Sequence, residues 1–594
     1  MSDHFSTVSL RQLTAQILNT EKRGTIFGIY KSRFFRPKPN LSMSIFGQTI
    51  DTPIGVAAGP HTQMAQNIIT AWLCGARYIE LKTVQTLDEI KVSKPCIDMQ
   101  DEGYNCEWSQ ELKIEESFRE YLKAWILIHL LHHKFGRKTP LNTIFNMSVG
   151  YDMAGILNDN VQWFFSKMAV CSAEKQAMID EIRDLYPAVD DIEIPDRISD
   201  NITLSTMHGC PPDEIEKIGK YLLEKKQLHT FIKLNPTLLG KERIRNILQQ
   251  LNFDTNVPDA AFEHDITYDA AQNVIRSLQQ IARTNNLFFG VKLTNTLESL
   301  NHKQVFSDEA MYMSGNALHP ISINVARIVR NDFPDLPISF CAGVNALNIA
   351  DVLACGLRPV TVCSDILKPG GYARLLQYPE YIEANATLRK TDAAAYLNRY
   401  ADSVTKNQLY QARWKNIKTD RILSEFDCIA APCVTTCPSN QQVPDYMYWT
   451  AEGDLPQAFE TILRTNPFPS VTGMVCDHLC QTKCTRINYD NALLIRDVKR
   501  YVAENVVYRN LEAPEENGKH VAIIGAGPSG LSCAYFLRLA GFAVDVYETK
   551  AFPGGMLADA IPLFRLSEEA LNRDIERIKT LGVKIHTNAK IDSI

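Results

Sequence analysis

The sequence predicts an α/β protein in three parts: a (β/α)8 TIM barrel, a helical segment dense in cysteine, and the opening of a Rossmann-type fold. Three observations carry this. Eight short apolar runs of β type alternate with helical stretches between residues 49 and 375, the period of a parallel barrel with insertions. Six of the fifteen cysteines crowd between Cys428 and Cys484. A glycine-rich turn, Gly525-Ala526-Gly527-Pro528-Ser529-Gly530, joins an apolar run at 521–524 to a helical stretch, as the first βαβ unit of a nucleotide-binding fold does. Two doubly wound domains would give the same strand count and stand as the alternative to the barrel.

Composition narrows the classes. The 594 residues are 45% hydrophobic and 22% charged, ordinary for a globular protein and unlike collagen, coiled coil or disorder. A net charge of −6 with no basic stripe argues against sequence-nonspecific nucleic-acid binding. The nearest approach to a membrane span, residues 124–131, is far too short. Met1-Ser2-Asp3-His4-Phe5 lacks the basic-then-apolar order of a secretion signal. The expectation is a cytoplasmic chain with no membrane insertion and no nucleic-acid partner.

Residues 1–45 read as an N-terminal extension and 46–375 as the barrel. Its strands are expected at 54–58, 78–82, 143–147, 202–205, 230–234, 289–293, 337–340 and 359–363. Residues 376–420 are polar and helical and read as a connector. Residues 421–515 hold the cysteine cluster on helices, and 516–594 form the first part of an FAD/NAD(P)-binding domain. Such a fold needs more strands than this last segment offers. The chain therefore reads as truncated, with its nicotinamide site mostly outside it and negligible NAD(P)H turnover expected of it alone.

The glycines of the turn let the backbone approach a pyrophosphate at a helix N-terminus. Glu548 ends the next strand, where an acid can bind ribose hydroxyls. Pro553-Gly554-Gly555 beyond it favours FAD over NAD. The cysteines run Cys428-x4-Cys433-x3-Cys437-Pro438 and Cys476-x3-Cys480-x3-Cys484. Such triplets suit [4Fe-4S] cubanes better than the tight pairs of structural zinc. Zinc, and buried cysteines with no ligand role, remain alternatives. Two cubanes need eight ligands and six cysteines are offered.

In the barrel, Lys82, Lys233 and Lys292 end three strands, at the end where barrels place their chemistry. Cations there call for an anion, such as a phosphate or the electron-rich edge of a reduced flavin, although a lysine can also snorkel to solvent. Ala342-Gly343 and Cys363-Ser364-Asp365 sit where barrels hold phosphate, and Thr294-Asn295-Thr296 could bond a ring or ribityl chain. Cys210, in Met207-His208-Gly209-Cys210-Pro211-Pro212, is a candidate general acid opposite a flavin hydride. A loop cysteine pinned by two prolines is the bland alternative. His61 and His208 are mouth residues with open roles.

These motifs together resemble known families. Residues 421–594 are similar to the FAD/iron–sulfur module shared by the glutamate synthase small subunit and dihydropyrimidine dehydrogenase. The carrying residues are the Cys triplets, the turn at 521–530, Pro553-Gly554-Gly555 and Ile561-Pro562-Leu563-Phe564-Arg565. The barrel resembles the FMN domain of dihydroorotate and dihydropyrimidine dehydrogenases at 53–59, Leu81-Lys82-Thr83-Val84, 231–236, 314–320 and Ala342-Gly343. With the barrel first, and with Gly59-Pro60-His61-Thr62 and 205–212, the whole chain resembles the YgfK-type iron–sulfur flavoproteins, described as selenate reductases.

The resemblance implies barrel-flavin (FMN) contacts at Ala58, Gly59, Lys82, Thr83, Asn146, Lys233, Thr294, Asn295, Gly315, Gly343 and Ser364. It implies FAD contacts at Gly525, Gly527, Gly530, Glu548 and Gly555. The chain also departs from its relatives. Thr203-Leu204-Ser205-Thr206-Met207 replaces the Asn-Leu-Ser-Cys-Pro of pyrimidine enzymes, which argues against a pyrimidine substrate. Glu425 and Lys499 fall where dihydropyrimidine dehydrogenase has cluster ligands, and a protonated lysine cannot ligate iron.

The expected activity is an oxidoreductase: NAD(P)H reduces FAD, electrons pass through [4Fe-4S] clusters, and a barrel flavin reduces a small-molecule substrate. Other redox subunits are the expected protein partners. Nothing in the residues selects selenate over other oxidants. The alternatives are an electron-relay or scaffold subunit whose flavin-free barrel leaves reduction to a partner, and a Schiff-base lyase using a barrel lysine.

Overall fold

The computed structural model describes residues 5–592 apart from 89–95, 100–102, 107–108, 138, 206–207, 303, 305, 369, 391, 413–430, 489–490 and 508–512. The chain divides into two compact units, residues 1–417 and 418–594.

Unit 1 is a closed barrel of eight parallel strands: β1 (Ile54–Val56), β2 (Tyr78–Glu80), β3 (Ile144–Val149), β4 (Asn201–Leu204), β5 (His229–Leu234), β6 (Phe289–Leu293), β7 (Ile338–Phe340) and β8 (Val360–Val362). The eight expected runs are these strands. β8 closes on β1 through the pairs Val360↔Ile54, Thr361↔Gly55 and Val362↔Val56. The strands are apolar and almost wholly buried because helices cover their outer face while side chains fill the interior.

Both ends of the barrel are furnished by segments outside the β/α repeat. At the N-terminal end a hairpin pairs Met43–Ile45 with Gln48–Ile50. It packs Ile45, Phe46 and Ile50 against Tyr78, Ile144 and Phe231, with the Phe46 ring 5.8 Å from that of Phe231. This apolar plug fills the bottom. At the C-terminal end, the loops after β2 and β6 form a four-stranded antiparallel sheet from Ile97–Asp98, Tyr104–Asn105, Ala310–Met313 and Leu297–Leu300. That cap was not expected from the sequence.

Residues 377–412 pack onto the barrel through the helices Gln377–Ala384 and Ala393–Val404. The Tyr400 hydroxyl lies 3.0 Å from His319 Nε2, and Asn316 Nδ2 donates to the Leu409 carbonyl at 2.6 Å.

In unit 2 the helices Val443–Ala451, Leu455–Leu463 and Ile495–Asn505 enclose Val443, Tyr446, Phe459, Ile462 and Val502. A parallel sheet follows in the order β9 (His520–Ile524), β10 (Ala543–Tyr547), β11 (Lys584–His586). The helix Glu568–Thr580 bears the fully buried Asp574, whose carboxylate accepts the backbone N–H groups of Ser470 (3.3 Å) and Val471 (2.9 Å). It thereby caps the helix Pro469–Val475 and ties the cysteine segment to the nucleotide-type sheet. Among the described residues, no helix is long and apolar enough to cross a membrane.

Candidate functional site

The C-terminal mouth of the barrel holds a cavity of about 1260 Å³, measured out to its open side. Ala58 and Gly59 reach it from the β1 loop, Lys82 and Thr83 follow β2, and Lys233 lies on β5. Thr294 and Asn295 follow β6, Gly315 lies beyond the cap, Gly343 follows β7 and Ser364 follows β8. Ten of the eleven residues assigned to the flavin from sequence therefore share one wall.

Asn146 does not line the cavity. It is wholly buried in the barrel, where Nδ2 donates to Asn201 Oδ1 (2.8 Å) and Oδ1 accepts from Thr203 (2.7 Å).

The three strand-end lysines have different surroundings. Lys292, 1% exposed, donates to Glu80 Oε1 at 2.5 Å and Thr361 Oγ1 at 2.6 Å. It forms an internal ion pair beneath the cavity and is absent from the cavity lining. The other Glu80 oxygen accepts the Ala58 N–H at 3.3 Å, so this pair also holds one edge of the cavity. Lys82 faces the cavity but donates to Ser109 Oγ at 2.9 Å, with Glu111 at 4.0 Å. Lys233 lines the cavity and, among the described residues, no carboxylate pairs with it. Sequence spacing identified all three lysines but gave no sign of Glu80, Ser109 or Glu111.

Beside β7 the backbone itself forms the wall. Gly343 has φ +60°, and a Cβ there would lie 2.3 Å from the Gly315 carbonyl oxygen. Only glycine permits this contact. The result is a cradle of backbone groups, the surface a phosphate approaches most closely.

The loop after β4 contributes His208 to the wall. His208 Nδ1 lies 3.4 Å from Asp265, whose carboxylate also accepts from Gly209 N–H (3.0 Å) and Thr237 Oγ1 (2.7 Å). Burial pushes the Asp265 carboxyl up, but the His208 contact and these hydrogen bonds outweigh it and hold the group below its ordinary value. Cys210, two residues on, packs part-buried against the barrel core and is not on the cavity wall. Asp265 carries no sequence signature.

In unit 2, Cys433, Cys437, Cys476, Cys480 and Cys484 are described, and Cys428 and Glu425 lie outside the described residues. Burial, then the charges of Cys480 and Cys484, push the Cys433 thiol up to about 11. Burial, then Cys437 and Cys476, raise Cys480. The five cysteines are thus one electrostatic neighbourhood.

Among the described residues, however, no three Cys, His, Asp or Glu side chains converge as metal ligands. These two observations pull apart. The first triplet also includes Cys428, outside the described residues, whereas Cys476, Cys480 and Cys484 are all described and do not converge by themselves. Lys499, 6% exposed, places Nζ 3.8 Å from Cys476 Sγ, a donor to sulfur and not an iron ligand. The donor set suits an iron–sulfur centre, with thiolates as ligands and a buried N–H aimed at one sulfur.

The glycine-rich turn connects β9 to the helix Pro528–Leu539. A Cβ on Gly530 would lie 2.0 Å from the Gly525 carbonyl oxygen, so helix and turn touch only because that side chain is absent. Gly555 approaches Gly527, and Glu548 Oε2 accepts the Ala526 N–H at 2.8 Å. Glu548 Oε1 accepts the Lys550 N–H at 2.9 Å. The structure thus brings Gly525, Gly527, Gly530, Glu548 and Gly555 together around one loop.

Comparisons with known proteins agree with this layout. Residues 27–413 match the family described as oxidoreductase YgfK, N-terminal TIM-barrel domain. Residues 399–511 match dihydropyrimidine dehydrogenase domain II, 4Fe-4S cluster, and residues 523–562 an NAD(P)-binding Rossmann-like domain. YgfK of Escherichia coli (strain K12), named as an oxidoreductase, is 40% identical over 626 aligned residues, covering 100% of this chain and 60% of that protein. The NADPH-Fe(3+) oxidoreductase subunit beta of Geobacter sulfurreducens (strain DL-1 / KN400) is 37% identical over 172 residues, 28% of this chain and 26% of that one. The glutamate synthase [NADPH] small chain of Azospirillum brasilense is 33% identical over 166 residues, 27% of this chain and 34% of that one. The chain spans 60% of the length of the curated YgfK relative it matches.

Proposed function

We propose, from the premise that the chain belongs to the YgfK oxidoreductase family, that it is an iron–sulfur flavoprotein passing electrons from NAD(P)H through FAD and [4Fe-4S] clusters to a flavin in the barrel, and thence to a small-molecule oxidant. On this reading residues 46–375 carry the FMN, 421–515 the clusters, and 516–594 the glycine-rich unit that binds FAD. One observation supports it above the rest: ten residues assigned to the flavin from sequence line a single cavity at the mouth where barrels do chemistry.

FMN, when bound, supplies hydride and single-electron transfer. The chain's own residues position and polarise it. Lys233 offers a cation to the electron-rich edge of the ring. Gly315 and Gly343 offer backbone to the phosphate. Thr294 and Asn295 fix orientation. Cys210 is the proposed proton donor; it lies off the cavity wall, so delivery to the substrate requires the loop that His208 and Asp265 hold to shift. In unit 2, Cys428, Cys433, Cys437, Cys476, Cys480 and Cys484 supply thiolates, and the loop around Gly525, Gly527, Gly530, Glu548 and Gly555 receives the FAD pyrophosphate and ribose. Other redox subunits are proposed partners, in keeping with a relative whose name is that of a subunit. Selenate is the oxidant the family resemblance names, and it belongs in the first assay beside other oxyanions.

A relay or scaffold role with a flavin-free barrel draws on one observation. Lys82 and Lys292 already have protein partners. Titration of the chain with FMN, followed by flavin fluorescence, separates the two readings. Loss of Lys233 in Lys233→Met should weaken FMN by about 10- to 100-fold, the worth of one charge-assisted hydrogen bond, with FAD binding unchanged. A wild-type barrel that takes up no FMN would leave the scaffold role.

A further inference from the structure

We propose that Cys96 and Cys106 form a redox-active dithiol at the rim of the barrel cavity, closing reversibly to a disulfide on reaction with small anionic disulfides. The two cysteines flank the shortest part of the cap. Ile97 pairs with Asn105 and Asp98 with Tyr104, so the next rung sets Cys96 opposite Cys106, where the Cys106 N–H donates to the Cys96 carbonyl at 3.0 Å. Directly opposed residues on antiparallel strands have Cβ atoms about 4.5–5.5 Å apart, and a disulfide needs about 3.5–4.5 Å. This is a hydrogen-bonded rung, whose Cβ atoms lie at the wide end of that range, so the closing movement is on the order of 1–2 Å, asked of strands only two residues long.

The side chains already interact. The Cys106 thiol is pushed well above its ordinary value, first by its hydrogen bond to Cys96 and then by burial, while the nearby Lys82 pulls the other way. The more accessible Cys96 is the nucleophile and the buried Cys106 the thiol that resolves it. Cys106 is 8% exposed and Cys96 is part-buried, and both line the cavity. The other cavity thiols have other partners. Cys341 Sγ donates to the Thr294 carbonyl at 3.3 Å, and Cys363 Sγ lies 3.6 Å from His61 Nδ1.

The reaction balances without any cofactor. Cys96 attacks one sulfur of the disulfide RS–SR, forming a Cys96–SR bond and breaking S–S, and the first RS⁻ leaves and is protonated by the proton Cys96 gave up. Cys106 then attacks the Cys96 sulfur. The second RS⁻ departs with the Cys106 proton, and a Cys96–Cys106 bond forms. Two thiols are oxidised by two electrons, and the disulfide is reduced to two thiols. Lys82 beside the pair favours an anionic reagent.

The test uses the reduced full chain equilibrated anaerobically with mixtures of reduced and oxidised glutathione, then alkylated and read peptide by peptide in a mass spectrometer. Expected is the joint loss of both thiols with a Cys96–Cys106 cross-linked peptide, reversed by excess reduced glutathione. In Cys106→Ser, the mixed disulfide with glutathione should accumulate on Cys96 instead. Cys533, which is exposed, reports that the reagent reached the protein. Independent labelling of Cys96 and Cys106 without a cross-link, or no reaction at either once Cys533 has reacted, would overturn the proposal. Neither result depends on flavin in the barrel.

Discussion

Replacing Glu80 with glutamine leaves the Lys292 ammonium buried at 1% exposure beside a neutral amide. At 2.5 Å the native pair attracts with about 6–7 kcal/mol at an effective dielectric of about 20. Most of that offsets the several kcal/mol spent in taking two ions out of water. Removing one charge abolishes the attraction and leaves the other ion's desolvation penalty, so Glu80→Gln should destabilise unit 1 by about 3–5 kcal/mol.

The double variant Glu80→Leu, Lys292→Met removes both charges and should return to within about 1–2 kcal/mol of the native chain or exceed it. Hydrogen exchange of the β2 and β6 amides reads the effect locally, with an acceleration of about two to four decades in Glu80→Gln that the double variant reverses. A single variant within about 1 kcal/mol of wild type, or a double variant worse than the single, would refute a desolvated pair.

Two further outcomes follow from other sites. His61 and His319 are buried and neutral, each with its pKa brought down to about 4, first by burial. Their contribution is fully present above the ordinary histidine value and is lost as pH falls from about 6.5 towards 4; by pH 5 about 2 kcal/mol of stability has been lost for each. Urea midpoints of unit 1 at pH 7 and pH 5 should differ accordingly, and equal midpoints would contradict the assignment. Glu548→Ala removes the acceptor that holds the Ala526 and Lys550 N–H groups. It should cost about 1–3 kcal/mol in the glycine-rich loop and raise amide exchange there before it changes exchange in the barrel.

The barrel was legible in the sequence because its strands, buried on both faces, are continuous apolar runs separated by helical spacing. The cap sheet was not, since its strands Ile97–Asp98 and Tyr104–Asn105 are two residues long and leave no alternation to detect. Strand ends pointed to Lys82, Lys233 and Lys292, but a strand pattern cannot show which lysine finds an internal carboxylate. Lys292 meets Glu80 from 212 positions away only because β2 and β6 face across a closed barrel. Asn146 was assigned to the flavin by resemblance, and the Asn201 and Thr203 side chains that engage it depend on the register of β3 against β4. The opposition of Cys96 and Cys106 was invisible for the same reason, being set by register and not by spacing.

The most direct test is the flavin, iron and sulfide content of anaerobically purified protein, with FMN and FAD separated after acid release. The account predicts about one FMN and about one FAD per chain, with acid-labile sulfide matching iron. It also predicts that Lys233→Met loses FMN while keeping FAD and iron. FAD and iron without FMN in the wild-type chain would contradict a flavin in the barrel.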